Sequence, residues 1–303
     1  MMILHVVPGL GAIGNGMSVA AHLIADAAGD ALIEAQRFAH GNYDINSYDE
    51  IWVHSCWLPS VLRSCIRVSK IGKKLVCMPH GNLDPVRLRY HAWKKWLVGP
   101  IERWCLRRCD RIVATCEAEK GWIEKYLGKR CPVVEVTDIK RFFNINHGIR
   151  RTHGNEGPLH LLYLGRQHPL KGLEYLEEAI KSLPSVSSVY SVVQKPELRI
   201  VSSAFGEELE KVWDWCDVLV LPTLSDNFGL VVAEALERGK RVITTDGAPA
   251  WEEGLSRVER VDRVEGELWS GYGGQLIYLK GYRDGTDEER VELLKRAIER
   301  ICK

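Results

Sequence analysis

The sequence predicts an α/β protein made of two doubly wound domains, each with a mostly parallel sheet covered by helices. Short aliphatic runs alternate with helical stretches along the chain, and one polar, glycine-containing segment at 144–158 interrupts the alternation. Strands buried on both faces of a parallel sheet are nearly continuous apolar runs, and helices form the crossovers between them. A chain of 303 residues is long enough for two cores. We therefore expect domains at 1–150 and 151–303, facing each other across a cleft in which a ligand binds.

The first predicted domain contains apolar runs of strand length, rich in β-branched and aliphatic residues. These runs lie at 2–7, 50–55, 73–79, 110–115 and 131–136, with helical patterns at 18–28 and 117–127. Strands that alternate with helices in this way predict parallel βαβ units.

The second predicted domain repeats the alternation after the polar segment. Strand patterns lie at 159–165, 217–223 and 241–246, and helical patterns lie at 172–183, from Gly229 onward and at 287–303. The repetition of one pattern on both sides of a linker is the main reason to expect two domains of the same class.

Composition narrows the class of protein. Hydrophobic content of 46% and charged content of 27% are typical of a soluble globular protein, and a net charge of +1 gives no reason to expect nucleic acid as a partner. No apolar run has the length of a membrane span, and the amino terminus lacks a signal-peptide pattern. The nine cysteines form no C-x-x-C pair. They therefore predict reduced core thiols in a cytoplasmic protein.

A glycine-rich loop follows the first strand. "GLGAIG" at 9–14 matches G-x-G-x-x-G, and Glu34 lies about 20 residues further on, where a ribose-binding acid is expected. This pattern makes an NAD(P)-dependent oxidoreductase an alternative function. Against it, Pro8 separates the strand from the first glycine, and the glycines continue past the motif. The loop also fits a backbone that approaches a phosphate or sugar, or a plain turn between strand and helix.

Two cations border the turn after the first strand of the second domain. Within "LLYLGRQHPLKGLEYLEEAI", Arg166 stands at the end of the strand and Lys171 at the start of the next helix. Two cations at the carboxyl end of a parallel strand suit a diphosphate, and arginine grips its oxygens in a fork. The alternative is that both are solvated loop charges.

A second anion site is predicted within "LSDNFGLVVAEALERG" at 224–239. The chain turns there from a buried strand into a helix at about Gly229. The N–H groups of Phe228, Gly229 and Leu230 would then lie at the amino terminus of that helix. Such free N–H groups, together with the helix dipole, favour a phosphate.

Two acids flank this predicted helix start. Asp226 lies just before the helix, and Glu234 lies in its second turn. A carboxylate next to a phosphate would repel it, so we expect both acids to accept hydrogen bonds from neutral hydroxyls of a sugar or ribose. The alternative makes Asp226 an N-terminal cap and Glu234 a salt-bridge partner.

Taken together, these stretches resemble the retaining GT-B glycosyltransferases of family 4. The carboxyl-terminal half of that family is similar to "YLGRQHPLKGLEYLEEAI" and "VLPTLSDNFGLVVAEALERGKRVITTDGAPAWEE". In the first half, "GAIGNGMSVAAHLIAD", "VHSCW", "MPHGNLDP" and "DRIVATCEAEKGWIEKYLG" resemble its glycine loop, its paired histidine segments and its last strand and helix. The resemblance implies a GT-B fold of two Rossmann-like domains. It also implies transfer of a sugar from a nucleotide-sugar donor to an acceptor hydroxyl with retention of configuration.

The resemblance also implies roles for residues of the second domain. Arg166 and Lys171 fall on the family's diphosphate-binding pair, Asp226 on the acid that contacts the donor sugar, and Glu234 on the acid that holds the nucleotide ribose. The backbone segment that meets sugar and phosphate consists of Asn227, Phe228, Gly229 and Leu230.

In the first domain, the resemblance implies a loop over the diphosphate and a histidine at the reacting sugar. Gly14, Asn15 and Gly16 match the loop, and His80 matches the histidine. His54 is a weaker match, because a serine follows it where the family has a glycine. A hydrogen-bonded core histidine is the alternative interpretation of position 80.

We expect neither a metal ion nor a cofactor. The chain contains no D-x-D tripeptide, with which the other large glycosyltransferase fold holds a divalent ion. Negative charge develops on the departing diphosphate, and Arg166, Lys171 and the helix amino terminus supply fixed positive partners for it. A sugar-nucleotide-binding protein without turnover is a third interpretation of the same residues.

The sequence departs from the family pattern in the second domain. Aspartate replaces the usual glutamate at position 226, which leaves the donor sugar undetermined. The stretch between Lys171 and Leu221 is short, because a strand and helix that normally frame the nucleobase are reduced to 185–203. We therefore expect a shortened carboxyl-terminal domain.

The segment 87–111 provides a prediction about the acceptor. It combines eight lysines and arginines with Trp93, Trp96 and Trp104, and Val98-Gly99-Pro100 predicts a break between two helices. Tryptophan beside cations suits peripheral contact with an anionic membrane on its inner face, and hence a lipid-linked glycan acceptor in surface polysaccharide or lipopolysaccharide assembly. The alternative is that the tryptophans line the domain core.

Overall fold

The protein consists of two compact units, Met1–Phe142 and Phe143–Lys303. The computed structural model describes residues 1–9, 16–41, 43–90, 92–143, 145, 157–183, 187–188, 191–192, 195–262 and 264–302. Each unit holds one large, mostly parallel sheet, so the predicted α/β class is confirmed. The predicted domain limits, 1–150 and 151–303, remain predictions.

The first unit contains six parallel strands in the order β2-β1-β3-β4-β5-β6. Its elements are β1 (Ile3–Val7), α1 (Gly16–Ala28), β2 (Ala31–Glu34), α2 (Ala35–His40), β3 (Glu50–His54), α3 (Pro59–Ile71), β4 (Lys74–Met78), α4 (Pro85–Arg89), α5 (Ala92–Leu106), β5 (Arg111–Ala114), α6 (Glu117–Leu127) and β6 (Val133–Val136). The five predicted strands are confirmed. The short β2 and α2 were not predicted, because four and six residues provide little periodicity.

The centre of this sheet is buried on both faces. Leu4 and Val6 of β1 are buried on one face in a hydrophobic core, and His5 and Val7 of the same strand are buried on the other face. Such strands match the continuous apolar runs from which the parallel sheet was predicted. At the sheet edge, β6 exposes Val133, as edge strands commonly do.

The second unit forms, in its described residues, a seven-stranded sheet in the order β10-β7-β11-β12-β15-β14-β13 and a separate two-stranded sheet of β8 and β9. Its elements are β7 (His160–Leu164), α7 (Leu173–Ser182), β8 (Ser187–Ser188), β9 (Ser191–Val192), β10 (Glu197–Val201), α8 (Gly206–Trp215), β11 (Val218–Leu221), α9 (Leu230–Glu237), β12 (Arg241–Thr245), β13 (Ser256–Val261), β14 (Gly266–Gly271), β15 (Leu276–Lys280) and α10 (Asp287–Cys302). The strands β10, β7, β11, β12 and β15 are parallel, whereas β14 and β13 continue the sheet antiparallel. That antiparallel edge was not predicted.

The middle of the second sheet places the loops of interest. Val218 and Val220 in β11 and Ile243 in β12 are fully buried or nearly so. The predicted carboxyl-terminal helix is confirmed as α10, which packs Leu293 and Ile298 into the same core. These contacts hold β7, β11 and β12 side by side, with their carboxyl ends at one edge of the sheet.

The cysteines are free thiols, as predicted. Those at 56, 65, 77, 105 and 109 are buried in the first unit. Within the described ranges, no helix has both the length and the hydropathy needed to cross a membrane.

Candidate functional site

Two loops of the second unit are joined at the carboxyl ends of β7 and β11. The carbonyl of Leu170, in the loop after β7, accepts hydrogen bonds from the N–H of Leu224 at 2.9 Å and from the hydroxyl of Thr223 at 3.0 Å. At Gly172, where φ is +64°, an added Cβ would collide with the carbonyl of Pro222. Glycine is therefore required for this close approach of the two loops.

A third loop, after β12, joins the other two. The N–H of Asp226 donates to the carbonyl of Gly247 at 2.7 Å, and the hydroxyl of Thr245 donates to the carbonyl of Thr223. A Cβ at Gly247 would collide with the same Thr223 carbonyl. We call this meeting of the loops 165–172, 222–229 and 246–248 the three-loop junction. It brings Lys171 and Asp226, which are far apart in the sequence, into contact.

Lys171 and Asp226 form an ion pair at this junction. The Lys171 ammonium donates to the Asp226 carboxylate, and the two side chains are 18% and 22% exposed. The sequence prediction gave Lys171 to the diphosphate and Asp226 to the sugar as separate roles. The ion pair couples them, because a phosphate at Lys171 has to compete with the carboxylate of Asp226.

The helix α9 begins one turn after Asp226. Its N-cap is Gly229, with φ of 66° and no side-chain cap bond, and Leu230 is the first helical residue. The alternative that Asp226 caps this helix is therefore wrong. At the predicted anion site, the first N–H groups lie at Leu230 and Val231, because the N–H of Val232 already bonds to the Gly229 carbonyl at 2.8 Å.

Asn227 and Phe228 lie buried before the helix. The Phe228 ring packs against Phe143 and Trp251, with ring centroids 5.9 and 5.2 Å away, and the Phe228 carbonyl accepts a bond from the Trp251 indole. These contacts hold the backbone of the segment in place. The side chain of Phe228 belongs to the core, so only its backbone is available to a ligand.

Glu234 lies in the second turn of α9 and is half-buried. Burial raises the pKa of its carboxyl group above the ordinary value, and the positive charge of Arg238 acts in the opposite direction. The Arg238 guanidinium bonds instead to the Glu210 carboxylate at 2.9 Å and to the Glu234 carbonyl at 3.2 Å. In the described part of the chain, no salt bridge involves the Glu234 carboxylate, so the salt-bridge alternative finds no support.

Arg166 is exposed at the start of the three-loop junction. Its carbonyl accepts a bond from the Tyr163 hydroxyl at 2.9 Å, which holds the backbone at this point. Its guanidinium forms no ion pair with any described residue. Of the two predicted phosphate-binding cations, Lys171 is neutralised by a carboxylate and Arg166 is not.

The first unit contains a row of buried histidines. The Nδ1 of His54 lies 2.8 Å from the Nε2 of His80, and the Nε2 of His54 lies 2.8 Å from the Nδ1 of His5. At the far end, the His5 Nε2 faces the Asp30 carboxylate at 3.5 Å. We call these four residues the histidine row.

The sheet register explains the row. His5 is opposite Trp52 in β3, and His54 is opposite Met78 in β4. Since side chains two residues apart in a strand share a face, His5 and His54 lie on one face of the sheet. His80 follows two residues after Met78, in the turn beyond β4, where its φ is 54°. The rings of the three histidines are stacked, with centroids 5.1 Å apart in both steps.

Burial keeps these imidazoles neutral. It lowers the pKa of His80 to about 3, and it lowers the pKa of His54 and of His5 below the ordinary value. His80 is hydrogen-bonded and buried, as the core alternative expects, and it also ends the row at the carboxyl edge of the sheet.

The sequence prediction missed His5 and Asp30. The signal for His5 was present, because "MILHVV" places an ionisable ring in the middle of an otherwise apolar strand. Such a side chain needs a polar partner when it is buried. Of the predicted glycine loop, Gly14 and Asn15 lie outside the described residues, and Gly16 is the first residue of α1.

The structure contradicts two interpretations of the segment 87–111: the break between two helices and the placement of its tryptophans in the core. The helix α5 runs unbroken from Ala92 to Leu106 through Pro100, so the predicted break is wrong. Tryptophans 93 and 96 are 64% and 79% exposed, so the core interpretation is wrong as well. Pro100 has no N–H to donate to the carbonyl of Trp96, four residues earlier. Proline is tolerated here because Trp96 is exposed.

Exposed apolar side chains form one face of this helix, and cations border it. We call it the α5 apolar face; it consists of Trp93, Trp96, Leu97, Ile101 and Trp104. The Lys94 ammonium lies 5.4 Å from the Trp93 ring and the Arg108 guanidinium 4.3 Å from the Trp104 ring. An apolar face of this size at a helix surface is typical of a binding surface.

Two family models match the chain. The model described as Glycosyltransferase Family 4 matches residues 31–136, and the model described as Glycosyl transferases group 1 matches residues 158–260. Neither describes an oxidoreductase, so the matches do not support that alternative for the glycine loop.

A curated relative is 25% identical over 231 residues, an "Uncharacterized 41.2 kDa protein in cps region" of Klebsiella pneumoniae. The match covers 67% of this chain and 62% of that relative, so this chain spans less than two thirds of its length.

Among solved structures, the lipopolysaccharide outer core galactosyltransferase WaaB is 15% identical, with a TM-score of 0.58 and coverage of 100% of this chain and 92% of that one. Sucrose-phosphate synthase from Thermosynechococcus elongatus is 14% identical, with a TM-score of 0.56 and 83% coverage of each chain. At such identity these matches establish the fold alone.

Proposed function

We propose that this chain is a family 4 glycosyltransferase of the GT-B fold, which transfers a sugar from a nucleotide-sugar donor to an acceptor hydroxyl. In this reaction the bond between the anomeric carbon and the diphosphate breaks, and a bond to the acceptor oxygen forms. The acceptor proton leaves with the nucleoside diphosphate. We further propose that the anomeric configuration of the donor is retained.

The three-loop junction is the observation that supports this proposal most strongly. It gathers Arg166, which forms no ion pair with any described residue, an ion pair and a helix amino terminus at the carboxyl ends of parallel strands, where α/β proteins bind nucleotides. We assign the diphosphate to Arg166 and to the first N–H groups of α9. The nucleotide ribose we assign to Glu234, whose half-buried carboxylate forms no salt bridge with any described residue.

The ion pair at the junction gains a role in this scheme. We propose that the arriving diphosphate attracts Lys171 away from Asp226. The released carboxylate then accepts hydrogen bonds from hydroxyls of the donor sugar. Lys171, Arg166 and the helix amino terminus together stabilise the charge that develops on the leaving diphosphate. His80 we place at a hydroxyl of the transferred sugar.

We propose that the reaction needs neither a metal ion nor a cofactor. A divalent ion in other sugar transfers neutralises the diphosphate, and here two cations and the N–H groups of α9 can do so. The support is the placement of these charges, in particular the guanidinium of Arg166, which no described carboxylate neutralises.

The acceptor we propose is a glycan or a lipid-linked glycan at the inner face of a bacterial membrane, reached from the cytoplasm. The α5 apolar face, bordered by Lys94 and Arg108, suits the interface of an anionic bilayer. One relative is named for a cps region and one similar structure for the lipopolysaccharide outer core, which supports an acceptor in surface-glycan assembly.

Calorimetric titration tests the donor assignment. The wild-type protein would be titrated with UDP-, GDP- and dTDP-sugars, with the matching free diphosphates, and with NADH. We expect one nucleotide series to bind and NADH not to bind. Binding of NADH with no heat from any sugar nucleotide or nucleoside diphosphate would overturn the proposal in favour of the oxidoreductase.

A further inference from the structure

The histidine row ends at the carboxylate of Asp30, whose Oδ2 faces the Nε2 of His5. The Nε2 of His5 and the Oδ2 of Asp30 are both buried, and neither has a hydrogen-bond partner among the described residues. They face each other at 3.5 Å. Each atom is therefore the available partner of the other.

The carboxylate determines which of the two atoms carries the proton. An ionised carboxylate only accepts hydrogen bonds. Its other oxygen, Oδ1, already accepts the N–H of Ile3 at 3.3 Å, which orients the Asp30 side chain. Oδ2 can then only accept a hydrogen bond from the Nε2 of His5, so His5 carries its hydrogen on Nε2.

This choice passes along the row, because a neutral imidazole has one donor nitrogen and one acceptor nitrogen. With its hydrogen on Nε2, His5 accepts at Nδ1 from the Nε2–H of His54. His54 then accepts at Nδ1 from the Nε2–H of His80. The remaining nitrogen of His80, Nδ1, is left as an acceptor. The opposite order would set the bare Nε2 of His5 against the Asp30 carboxylate, which is repulsive.

We propose that Asp30, His5 and His54 are positioning residues that hold His80 as its Nε2–H tautomer, so that its Nδ1 accepts a hydrogen bond from a substrate hydroxyl. This inference deepens the proposed function and rests on the role given there to His80. A carboxylate that selects the tautomer of a working imidazole is a known device in other enzymes. Here the selection would act across two further imidazoles.

The tautomers can be measured without any substrate. Nitrogen-15 chemical shifts of protein labelled at histidine distinguish a protonated ring nitrogen from a bare one, and His5→Gln, His54→Gln and His80→Gln assign the three signals. In the wild-type protein we expect all three rings to carry hydrogen on Nε2. A wild-type His80 with its hydrogen on Nδ1 would overturn the proposal, whatever the variants do.

The substitution Asp30→Asn gives the sharper test. If the asparagine oxygen keeps the Ile3 N–H, its amide donates toward the Nε2 of His5, which must then accept. The whole row reverses, and His80 moves its hydrogen to Nδ1. We expect this reversal in the nitrogen-15 spectrum, with unchanged circular dichroism. A folded Asp30→Asn protein that keeps Nε2–H on His80 would contradict the proposal.

Asp49→Asn is the matched control. Asp49 also accepts a backbone N–H at the start of β1, from Met2 at 2.8 Å, but it is exposed and forms no hydrogen bond or ion pair with a described histidine. We expect its histidine signals to equal those of the wild type. Reversal of the row in this variant would show that any change at the start of β1 moves the tautomers, and would overturn the role of Asp30.

Turnover then separates a positioning role from a structural one. With the donor found by calorimetry, Asp30→Asn should lower kcat by at least about 10-fold and leave donor affinity within about 2-fold. If the tautomers of Asp30→Asn have reversed and its kcat still equals that of the wild type, the His80 tautomer has no role in turnover and the proposal is contradicted. If no donor is found, the proposed function fails, but the wild-type tautomers still decide whether the row is polarised as described.

Discussion

The ammonium of Lys171 donates a hydrogen bond to the carboxylate of Asp226, across a gap of more than fifty residues in the sequence. The two residues were predicted to contact different parts of one ligand. Their pairing means that the charge offered to a phosphate depends on where the Asp226 carboxylate lies. Several consequences of this and of the neighbouring contacts can be measured.

Asp226→Asn should separate nucleotide binding from sugar transfer. If Asp226 met only the donor sugar, this variant would bind free nucleoside diphosphate as the wild type does. The ion pair changes that expectation, because removing the carboxylate charge frees Lys171 for the phosphates. We expect about 2- to 5-fold tighter binding of free diphosphate, the ~0.5–1 kcal/mol of a partly exposed ion pair, and depressed turnover of the intact donor.

The double variant Asp226→Asn with Lys171→Gln provides the control for this prediction. With the ammonium absent, the gain in diphosphate affinity should disappear. A gain that persists in calorimetry of the double variant would show that Lys171 does not meet the phosphates.

Glu234→Gln should weaken binding of the donor and of the free nucleotide alike. Glutamine has the size of glutamate but lacks the charge that strengthens hydrogen bonds from ribose hydroxyls. The loss should be about 1–2 kcal/mol, or roughly 5- to 30-fold in affinity. Glu237→Gln, at a neighbouring acid of the same helix, is the matched control for calorimetry. Equal effects of the two substitutions would mean that Glu234 acts as a general surface charge.

The α5 apolar face should bind anionic vesicles. Replacing Trp93 and Trp96 by serine removes exposed side chains, so the fold should remain, while sedimentation with vesicles of anionic lipid should fall. Phe205→Ser, at an exposed aromatic residue of the second unit, is the control. Undiminished sedimentation of the double tryptophan variant would exclude this face as the membrane contact.

The histidine row should make the protein less stable in acid. Burial lowers the pKa of His5, His54 and His80. These imidazoles therefore stay neutral in the folded state, whereas they become protonated in the unfolded state below about pH 6.5. The free energy of unfolding should therefore fall as the pH falls from about 6.5 toward 3, by up to ~1.4 kcal/mol per pH unit for each neutral imidazole.

Urea titrations at several pH values test this dependence. His80→Gln should reduce the slope of the free energy of unfolding against pH by the contribution of one imidazole. His40→Gln, at an exposed histidine, should leave that slope unchanged. A stability profile that His80→Gln does not alter would show that His80 takes up a proton in the folded protein.

Sequence reasoning recovered the elements that repeat and missed those that do not. Apolar runs such as 217–223 identified the buried parallel strands, because burial on both faces leaves a continuous signal. The antiparallel β13 and β14 escaped, since their alternation of polar and buried residues is irregular and no tight hairpin signal joins them. The unbroken α5 was mispredicted because Pro100 was given more weight than the exposed setting that tolerates it.

The sequence predicted which residues belong to the candidate site, but not the contacts that they make with one another. Spacing identified Lys171 and Asp226 as residues of one site, but which oxygen meets which nitrogen depends on three loops from separate strands. The same holds for His5 and His80, which a diagonal across three parallel strands brings into one row. Contacts of this kind are set by tertiary packing, which a single sequence does not encode locally.

Donor turnover in the presence of EDTA tests the central claim most directly. The donor identified by calorimetry would be incubated with the wild-type protein and excess chelator. Proton NMR would follow the consumption of the donor and the release of the nucleoside diphosphate. It would also report the anomeric configuration of the sugar product when it first forms. We predict that diphosphate is released at the rate seen without chelator and that the product keeps the donor's configuration. Absence of release from every nucleotide sugar, loss of release in EDTA that magnesium or manganese restores, or an inverted product would contradict this account.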